Sequence, residues 1–256
     1  MNIDSLFDLS GKVAIVTGGG DGIGKGSCET LAHFGASIVV SDLVLEKAQA
    51  VANEIVKNKA IAVACNVLND ADLVNLVDKA VAEYETVNIL VNNAGGGGGG
   101  RENPFQIDIA YFKRVFNLNL FSAWRLCQLV VPHMAESGYG SIINITSMGS
   151  INKSPNMSAY ASSKAALNHM AGNLAFDFGP MGVRINNVGP GATRTHALST
   201  VLTPEIEAKM LEHTPIKRLG EVSDITGAVL YFAAPVSQWV SGQTLFVNGG
   251  GIQTLD

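Results

Sequence analysis

The stretch VAIVTGGGDGIG, residues 13–24, decides the fold of this chain. It opens with apolar or β-branched residues, which indicate a buried strand, and a helical pattern begins directly after its glycines. Glycine suits such a junction because the backbone must turn sharply and approach a pyrophosphate, which rests on the N–H groups that begin the helix. The stretch therefore predicts a dinucleotide-binding turn. The residues expected to contact the dinucleotide there are Gly18, Asp21, Gly22, Ile23 and Gly24.

Runs that resemble this first strand recur along the chain and alternate with segments of helical spacing. Strict alternation predicts a doubly wound, Rossmann-like α/β fold, in which parallel strands, about seven here, carry helices on both faces. A length of 256 residues with 47% hydrophobic content fits a single domain that spans residues 1–256. The predicted strands cover residues 13–17, 37–42, 61–65, 89–92, 141–147, 183–188 and 244–247, and the predicted helices cover residues 22–34, 45–57, 70–84, 110–134, 160–178 and 224–234.

Two segments interrupt this alternation beyond the carboxyl ends of strands, the edge at which such sheets bind ligands. Residues 190–218 form a long insertion, and long ordered insertions are usually lids or binding loops. Within it, Thr203 as N-cap and Pro204 at the first helical position predict a small lid helix over residues 204–213. A run of glycines, residues 95–100, follows a predicted strand, and this position favours a flexible active-site loop over a plain linker.

Charge and composition exclude several classes of partner. The net charge of −5 offers no basic patch for nucleic acid or anionic lipid. No apolar stretch approaches the ~18 residues of a membrane-spanning helix, and the first residues are acidic rather than basic. We therefore expect a cytoplasmic protein without a nucleic-acid or membrane partner. The cysteines are expected to be buried, reduced thiols, and the histidines lack zinc-ligand spacing, so no metal site is predicted.

Asp42 closes the second predicted strand and bears on the choice of dinucleotide. It lies 18 positions beyond Gly24 (42 − 24), close to the ~20 residues expected for a carboxylate that binds the adenosine ribose. A carboxylate binds a free 2′-hydroxyl but repels a 2′-phosphate, and no neighbouring cation compensates. The sequence therefore predicts NAD rather than NADP. A role for Asp42 as a helix N-cap is an alternative that could coexist with ribose binding.

Four motifs in this order resemble the short-chain dehydrogenase/reductase family over nearly the whole length of the chain. They are Thr17-Gly18-x-x-x-Gly22-x-Gly24, Asn92-Asn93-Ala94-Gly95, Ser147, and Tyr160-x-x-x-Lys164. The resemblance implies an NAD-dependent oxidoreductase that interconverts a secondary alcohol and a ketone by hydride transfer, without a metal. A dinucleotide-binding sensor that has lost catalysis is the alternative from another class, and the intact motifs argue against it.

Tyr160 and Lys164 are four residues apart on a predicted helix, so both side chains lie on one face. A neighbouring ammonium favours the phenolate, and we expect Lys164 to lower the pKa of Tyr160 so that it acts as the base. The resemblance further implies that Lys164 binds the nicotinamide ribose and that Ser147 hydrogen-bonds the substrate oxygen. It also implies that Asn119 orders a water behind the lysine and completes a proton relay.

The resemblance extends the expected site to the ends of other strands. It implies cofactor contacts near the adenine and the nicotinamide, and substrate contacts in the glycine run, beyond Ser147 and in the lid. Asn66 and Thr193 depart from the usual residue types, although an amide oxygen and a backbone group can make the same hydrogen bonds. The further cofactor residues are Asn66, Val67, Asn93, Pro190, Gly191, Thr193 and Thr195, and the further substrate residues are Gly97, Asn152 and His196.

Within the family, several stretches are similar to the members that oxidise hydroxysteroids, including residues 92–98, 145–148, 156–160 and 203–220. A 7α-hydroxysteroid, such as a bile acid, is therefore the expected substrate, and an apolar lid suits a large flat molecule. A 3-oxoacyl thioester reductase and a sugar or polyol dehydrogenase remain alternatives on the same scaffold. The resemblance also implies a homotetramer, with the long helices at one interface and the C-terminal strand near another.

Overall fold

The computed structural model describes residues 3–55, 60–98, 100–200 and 202–251, and parallel strands form one sheet in these ranges. The strands are β1 Val13–Thr17, β2 Ser37–Asp42, β3 Ala60–Ala64, β4 Ile89–Asn92, β5 Gly140–Ile145, β6 Val183–Pro190 and β7 Thr244–Val247. Their order across the sheet is β3-β2-β1-β4-β5-β6-β7. The order reverses between β1 and β4, which opens a crevice for a ligand at the carboxyl ends of these two strands.

Helices cover both faces of the sheet. They are α1 Gly22–His33, α2 Leu45–Glu54, α3 Asp70–Tyr84, α4 Ile109–Phe116, α5 Ser122–Glu136, α6 Ser158–Phe178, α7 His196–Ser199, α8 Pro204–Glu212 and α9 Val222–Ala233. One face buries Leu31 of α1 and Phe232 of α9 against the strands. The other buries Leu76 of α3, Leu126 of α5 and Leu174 of α6. None of the helices in the described ranges is long and apolar enough to cross a membrane.

The doubly wound fold is confirmed, and the main differences from prediction concern one strand end, one interrupted helix and one short additional helix. The predicted strand 141–147 ends at Ile145, because Ser147 begins a 3-10 turn and accepts a hydrogen bond from Gly149 N. The helix predicted over residues 110–134 is α4 and α5 joined by a π-helical turn, Asn117–Phe121.

The lid helix begins where the sequence predicts. Thr203 caps α8 through Ile206 N, and Pro204 is the first helical residue, as predicted. The short helix α7 in front of it was not predicted. Some predicted features lie outside the described residues: Gly99 in the glycine run, residues 56–57 of the second helix, and the ends of the 1–256 domain.

A row of buried amides crosses the sheet beneath its carboxyl edge. Asn92 Nδ2 donates to Asn144 Oδ1 at 2.9 Å, and Asn144 Nδ2 donates to Asn187 Oδ1 at 3.0 Å. Asn187 Nδ2 then donates to Thr244 Oγ1 at 2.9 Å. These residues are register partners on β4, β5, β6 and β7, so each strand contributes one member. The amide row therefore fixes the alignment of the strands that end at the site.

Candidate active site

The glycine turn between β1 and α1 packs closely against its neighbours. A Cβ at Gly24 would overlap the carbonyl oxygen of Gly18, so no other residue fits without moving the backbone. Asp42 accepts a hydrogen bond from Gly20 N at 3.0 Å through one carboxylate oxygen, and from Val44 N at 3.0 Å through the other. Val44, not Asp42, is the N-cap of α2. Asp42 therefore joins the end of β2 to the turn.

Asn93 connects the glycine turn to the end of β4. Its Nδ2 donates to Thr17 O at 2.9 Å and to Gly18 O at 3.0 Å, while Thr17 Oγ1 accepts from Asn93 N and from Ala94 N at 3.1 Å. These contacts give Asn93 a structural role, in addition to the cofactor contact that the sequence predicted for it. They hold the two strands on either side of the crevice in a fixed relation.

Ser147, Tyr160 and Lys164 meet beyond the carboxyl end of β5. Lys164 is buried, with 4% of its surface exposed, and its Nζ donates to Ile145 O at 2.8 Å. The same Nζ lies 5.9 Å from the centre of the Tyr160 ring. The Ser147 hydroxyl lies beside the same ring, since a Cβ at Gly149 would lie 3.3 Å from Ser147 Oγ and 3.7 Å from Tyr160 Cε1. The structure thus brings together the three groups that the sequence predicted as the chemical centre.

Asn119 lies in the π-helical turn behind these residues. Its Oδ1 accepts from Gly96 N at 2.9 Å, and its Nδ2 donates to Gly96 O at 2.8 Å and to Ser163 Oγ at 2.9 Å. A Cβ at Gly95 would lie 2.8 Å from Asn119 Oδ1 and 3.1 Å from Lys164 Nζ. Glycine is therefore required at position 95 for the start of the glycine run to pass between the two side chains.

Burial dominates the electrostatics of the pair on α6. It lowers the pKa of Lys164 to about 8, because the ammonium is removed from water. It also raises the pKa of Tyr160, an effect that the nearby Ser147 hydroxyl opposes and the Glu102 carboxylate reinforces. The sequence predicted that Lys164 lowers the pKa of Tyr160, but in this structure the net direction is upward. The direction of the pKa of Tyr160 follows from the burial of its phenol, which the spacing of residues in the sequence does not reveal.

A cavity of about 490 Å³ lies between the glycine turn and the lid. One wall is formed by the start of α1, and the opposite wall by the segment after β6. Thr193 Oγ1 donates to Gly191 O at 3.1 Å, and Arg194 N donates to Gly220 O at 2.7 Å, which anchors this segment. The predicted residues that line the cavity are Asp21, Gly22, Ile23, Asn93, Gly97, Ser147, Tyr160, Lys164, Pro190, Gly191, Thr193, Thr195 and His196.

A second cavity, of about 970 Å³, continues from the first on the side of the lid. Of the predicted substrate residues, it is lined by Gly97, Ser147, Asn152 and Tyr160, whereas His196 faces only the first cavity. Apolar side chains complete its walls, among them Met148, Met157, Leu198, Ile206 and Met210. Ser147 and Tyr160 belong to both cavities, so they lie where two ligands would meet.

Five predicted cofactor residues lie away from these cavity walls: Gly18, Gly24, Asp42, Asn66 and Val67. Asn66 is exposed, and its Oδ1 accepts from Leu68 N at 3.1 Å in a local turn. Val67 packs against the hydrophobic core below that turn, and Asp42 faces the glycine turn as described. Thr195 lines the cavity but also caps α7 through Leu198 N at 3.3 Å. The adenosine side of the predicted site is therefore an open surface.

Sequence reasoning missed Glu102, which lies in the segment after the glycine run and is 0% exposed. Its carboxylate accepts from Ala159 N at 2.7 Å and from Tyr160 N at 3.0 Å, the first turn of α6. It also accepts from Gly98 N at 2.9 Å. A glutamate among glycine, arginine and asparagine looks like surface loop in sequence, and no local pattern indicates its burial.

The fold and the site define a class of protein. It is an oxidoreductase with a dinucleotide-binding crevice, and tyrosine, lysine and serine side chains lie together at the entrance to that crevice. A family model described as enoyl-(acyl carrier protein) reductase matches residues 18–251. The chain belongs to the short-chain dehydrogenase/reductase family, as its motifs predicted.

Individual relatives refine this placement. A 7α-hydroxysteroid dehydrogenase of Escherichia coli strain K12 is 49% identical over 257 residues, covering 100% of this chain and 99% of that protein. One of Clostridium sardiniense is 35% identical, covering 94% of each chain. A solved 7α-hydroxysteroid dehydrogenase, in complex with NADH and 7-oxo glycochenodeoxycholic acid, has a TM-score of 0.94 and 48% identity, with 100% of both chains covered.

Proposed function

We propose that this protein oxidises the 7α-hydroxyl of a steroid of the bile-acid type to a ketone, with NAD as the hydride acceptor. The observation that carries the proposal is the position of Ser147 and Tyr160 in the walls of two adjoining cavities. The larger, of about 970 Å³, is at the upper end of the ~300–1,000 Å³ range of ligand sites and has mainly apolar walls. The relatives named above act on the same class of alcohol.

The described residues fit a dinucleotide. The glycine turn has no room for a Cβ at Gly24, and the first turn of α1 faces the smaller cavity, so backbone groups border the space for a pyrophosphate. Asp42 supplies a carboxylate at the end of β2 and supports NAD over NADP. The NADH bound in the solved relative agrees with this choice. Lys164 and the segment after β6 would hold the nicotinamide half.

Each side chain of the centre has one task in the proposed reaction. Ser147 donates to the substrate oxygen and holds the carbinol beside the phenol. Tyr160, as phenolate, takes the hydroxyl proton, and in the reverse direction it returns the proton to the ketone. The bound nicotinamide supplies the chemistry that no side chain offers, acceptance of the carbinol hydride. Lys164 presents a positive charge near the phenol, and because burial lowers its pKa to about 8, that charge is lost as the pH rises through this value.

Initial rates test the proposal. Purified protein is assayed with NAD or NADP against cholic acid and chenodeoxycholic acid, with deoxycholic acid, which lacks the 7-hydroxyl, as the matched control. We expect NADH and a 7-oxo product from the first two acids, and none from the control. Acyl thioesters and sugar alcohols complete the panel, since the matching family model bears a thioester-reductase description. A faster reaction with a thioester than with either 7α-hydroxy acid overturns the steroid assignment.

We also propose that the protein is a cytoplasmic homotetramer. Large apolar side chains are exposed on the long helices and near β7, where the family resemblance puts the two interfaces: Phe121, Trp124, Phe176, Trp239 and Leu245. The free, buried cysteines suit a reducing compartment. Light scattering after gel filtration should give four times the 26.8 kDa of one chain. The mass of a single chain would contradict the assembly.

A further inference from the structure

The helix that carries Tyr160 and Lys164 has no cap of its own. The N-cap residue of α6 is Met157, which makes no side-chain cap hydrogen bond, and the first turn contains no acidic residue. The N–H groups at the start of a helix need acceptors, and the positive end of the helix dipole favours a negative charge there. Glu102, more than fifty residues earlier in the chain, supplies both.

Glu102 is held by more than its contacts with α6. Its backbone N donates to Asn156 O at 3.0 Å, and its segment forms a parallel bridge with Met157. Oε1 accepts from Gly98 N at 2.9 Å and from Tyr111 OH at 3.3 Å. Within the described ranges no lysine or arginine pairs with this buried carboxylate. Its charge is therefore satisfied by hydrogen bonds alone, and these join α4, the glycine run and α6.

The bond to Gly98 connects Glu102 to the face of Tyr160. Gly98 has a φ of +75°, which favours glycine, and a Cβ there would lie 3.0 Å from Tyr160 Cγ. Gly98 thus lies against the ring of Tyr160, while Glu102 holds the backbone of the same residue. One carboxylate sets the separation between the wall of the substrate cavity and the phenol.

We propose that Glu102 is a positioning residue, which fixes Tyr160 against Ser147 and the glycine run and keeps a negative charge beside the phenol. This inference rests on the proposed role of Tyr160 as the base. The ionisable groups nearest Tyr160 are Glu102 and, along α6, Lys164, while Tyr111 of α4 reaches the site through Glu102. Other ionisable groups line the cavities that Tyr160 borders: Asp21, Arg101, His196, Lys209 and His213. Removal of the carboxylate charge makes the phenolate easier to form.

The test compares Glu102→Gln and Glu102→Asp with Asp108→Asn. Asp108 is a matched control because it is an exposed acid in the same connection, and asparagine preserves its cap on α4. With cholic acid and NAD, we expect Glu102→Gln to lower kcat about 10- to 100-fold, as misplacement of a reacting group does, with NADH affinity within about twofold of the parent. Asp108→Asn should match the parent in both.

The pH dependence separates positioning from a merely structural role. In Glu102→Gln the limb of the kcat profile that reports Tyr160 should move to lower pH, because the charge that opposes the phenolate is gone. Glu102→Asp keeps the charge but shortens the reach, so it should lower kcat and leave the limb in place. The proposal is overturned if Glu102→Gln changes neither kcat nor the position of the limb in its pH profile. It is also overturned if Glu102→Gln lowers only the thermal stability of the protein.

A readout without turnover distinguishes this proposal from the proposed function. The near-ultraviolet absorbance of tyrosinate, taken as the difference between each protein and its Tyr160→Phe counterpart, gives the titration of Tyr160 alone. A shift to lower pH in Glu102→Gln supports the role of Glu102 even if cholic acid is not oxidised. If the titration of Tyr160 does not shift in Glu102→Gln, the role of Glu102 is overturned. The proposed function still stands in that case, provided that the parent protein oxidises cholic acid and Tyr160→Phe does not.

Discussion

Replacement of Asn144 by leucine tests whether the row of buried amides holds the sheet together. Asn144 has the position between two buried partners: it accepts from Asn92 Nδ2 at 2.9 Å and donates to Asn187 Oδ1 at 3.0 Å. Leucine has the same number of side-chain heavy atoms and the same branch at Cγ, so no cavity forms, but each partner loses its hydrogen bond. A buried polar group without a partner costs about 1–3 kcal/mol, so two cost about 2–6 kcal/mol. This is a large part of the about 5–15 kcal/mol that stabilises a folded domain.

The assay is equilibrium unfolding in guanidinium chloride, followed by circular dichroism at one fixed protomer concentration, because self-association changes apparent stability. Asn53→Leu is the matched control, since Asn53 is exposed on α2 and bonds only Gln49 at 2.9 Å within the described residues. The control should change the free energy of unfolding by less than about 0.5 kcal/mol. A loss below about 1 kcal/mol for Asn144→Leu would refute the account of the amide row, because it means that the partners find other acceptors and donors.

Three other outcomes follow from the structure. Gly24→Ala should weaken NADH binding at least about tenfold, or about 1.4 kcal/mol, because the new Cβ overlaps Gly18 O. The matched control is Gly227→Ala on α9, where a Cβ has nothing within 4 Å and should leave NADH binding unchanged. Isothermal titration calorimetry compares the two variants. Asp42→Ala should lower kcat/KM for NAD about ten- to hundredfold and so reduce the ratio of kcat/KM for NAD to that for NADP. If that ratio does not change, Asp42 does not select the cofactor. Burial raises the pKa of the cysteine thiols, that of Cys65 to about 11. A thiol reagent at neutral pH should therefore label no cysteine in the folded protein and three per chain after denaturation. Fast labelling of the folded protein would contradict this expectation.

The sequence was sufficient for the fold because local and long-range signals agree in it. The strands are short, β-branched and apolar, and β1 is immediately followed by glycines and a helix, so their type and order follow from pattern alone. The ends of elements were less certain, as at β5, where Ser147 leaves the strand to accept from Gly149 N. That choice depends on a single side-chain hydrogen bond, which no periodicity records.

The site was predictable where spacing along one element determines it. Tyr160 and Lys164 share a face of α6, and the structure brings Ser147 to them across the sheet edge. Glu102 was not predictable, since its role depends on a contact between segments more than fifty residues apart. The pKa direction of Tyr160 was wrong for a related reason, because burial depends on how the whole chain packs.

The transfer of hydrogen from the substrate itself tests the central claim most directly. Cholic acid that carries deuterium at C7 is incubated with NAD and the purified protein, and the products are analysed by mass spectrometry and NMR. We predict a 7-oxo acid, deuterium at C4 of the reduced nicotinamide, and loss of both in Tyr160→Phe. An absence of 7-oxo product and of labelled NADH from the parent protein, or full turnover in Tyr160→Phe, would contradict the account.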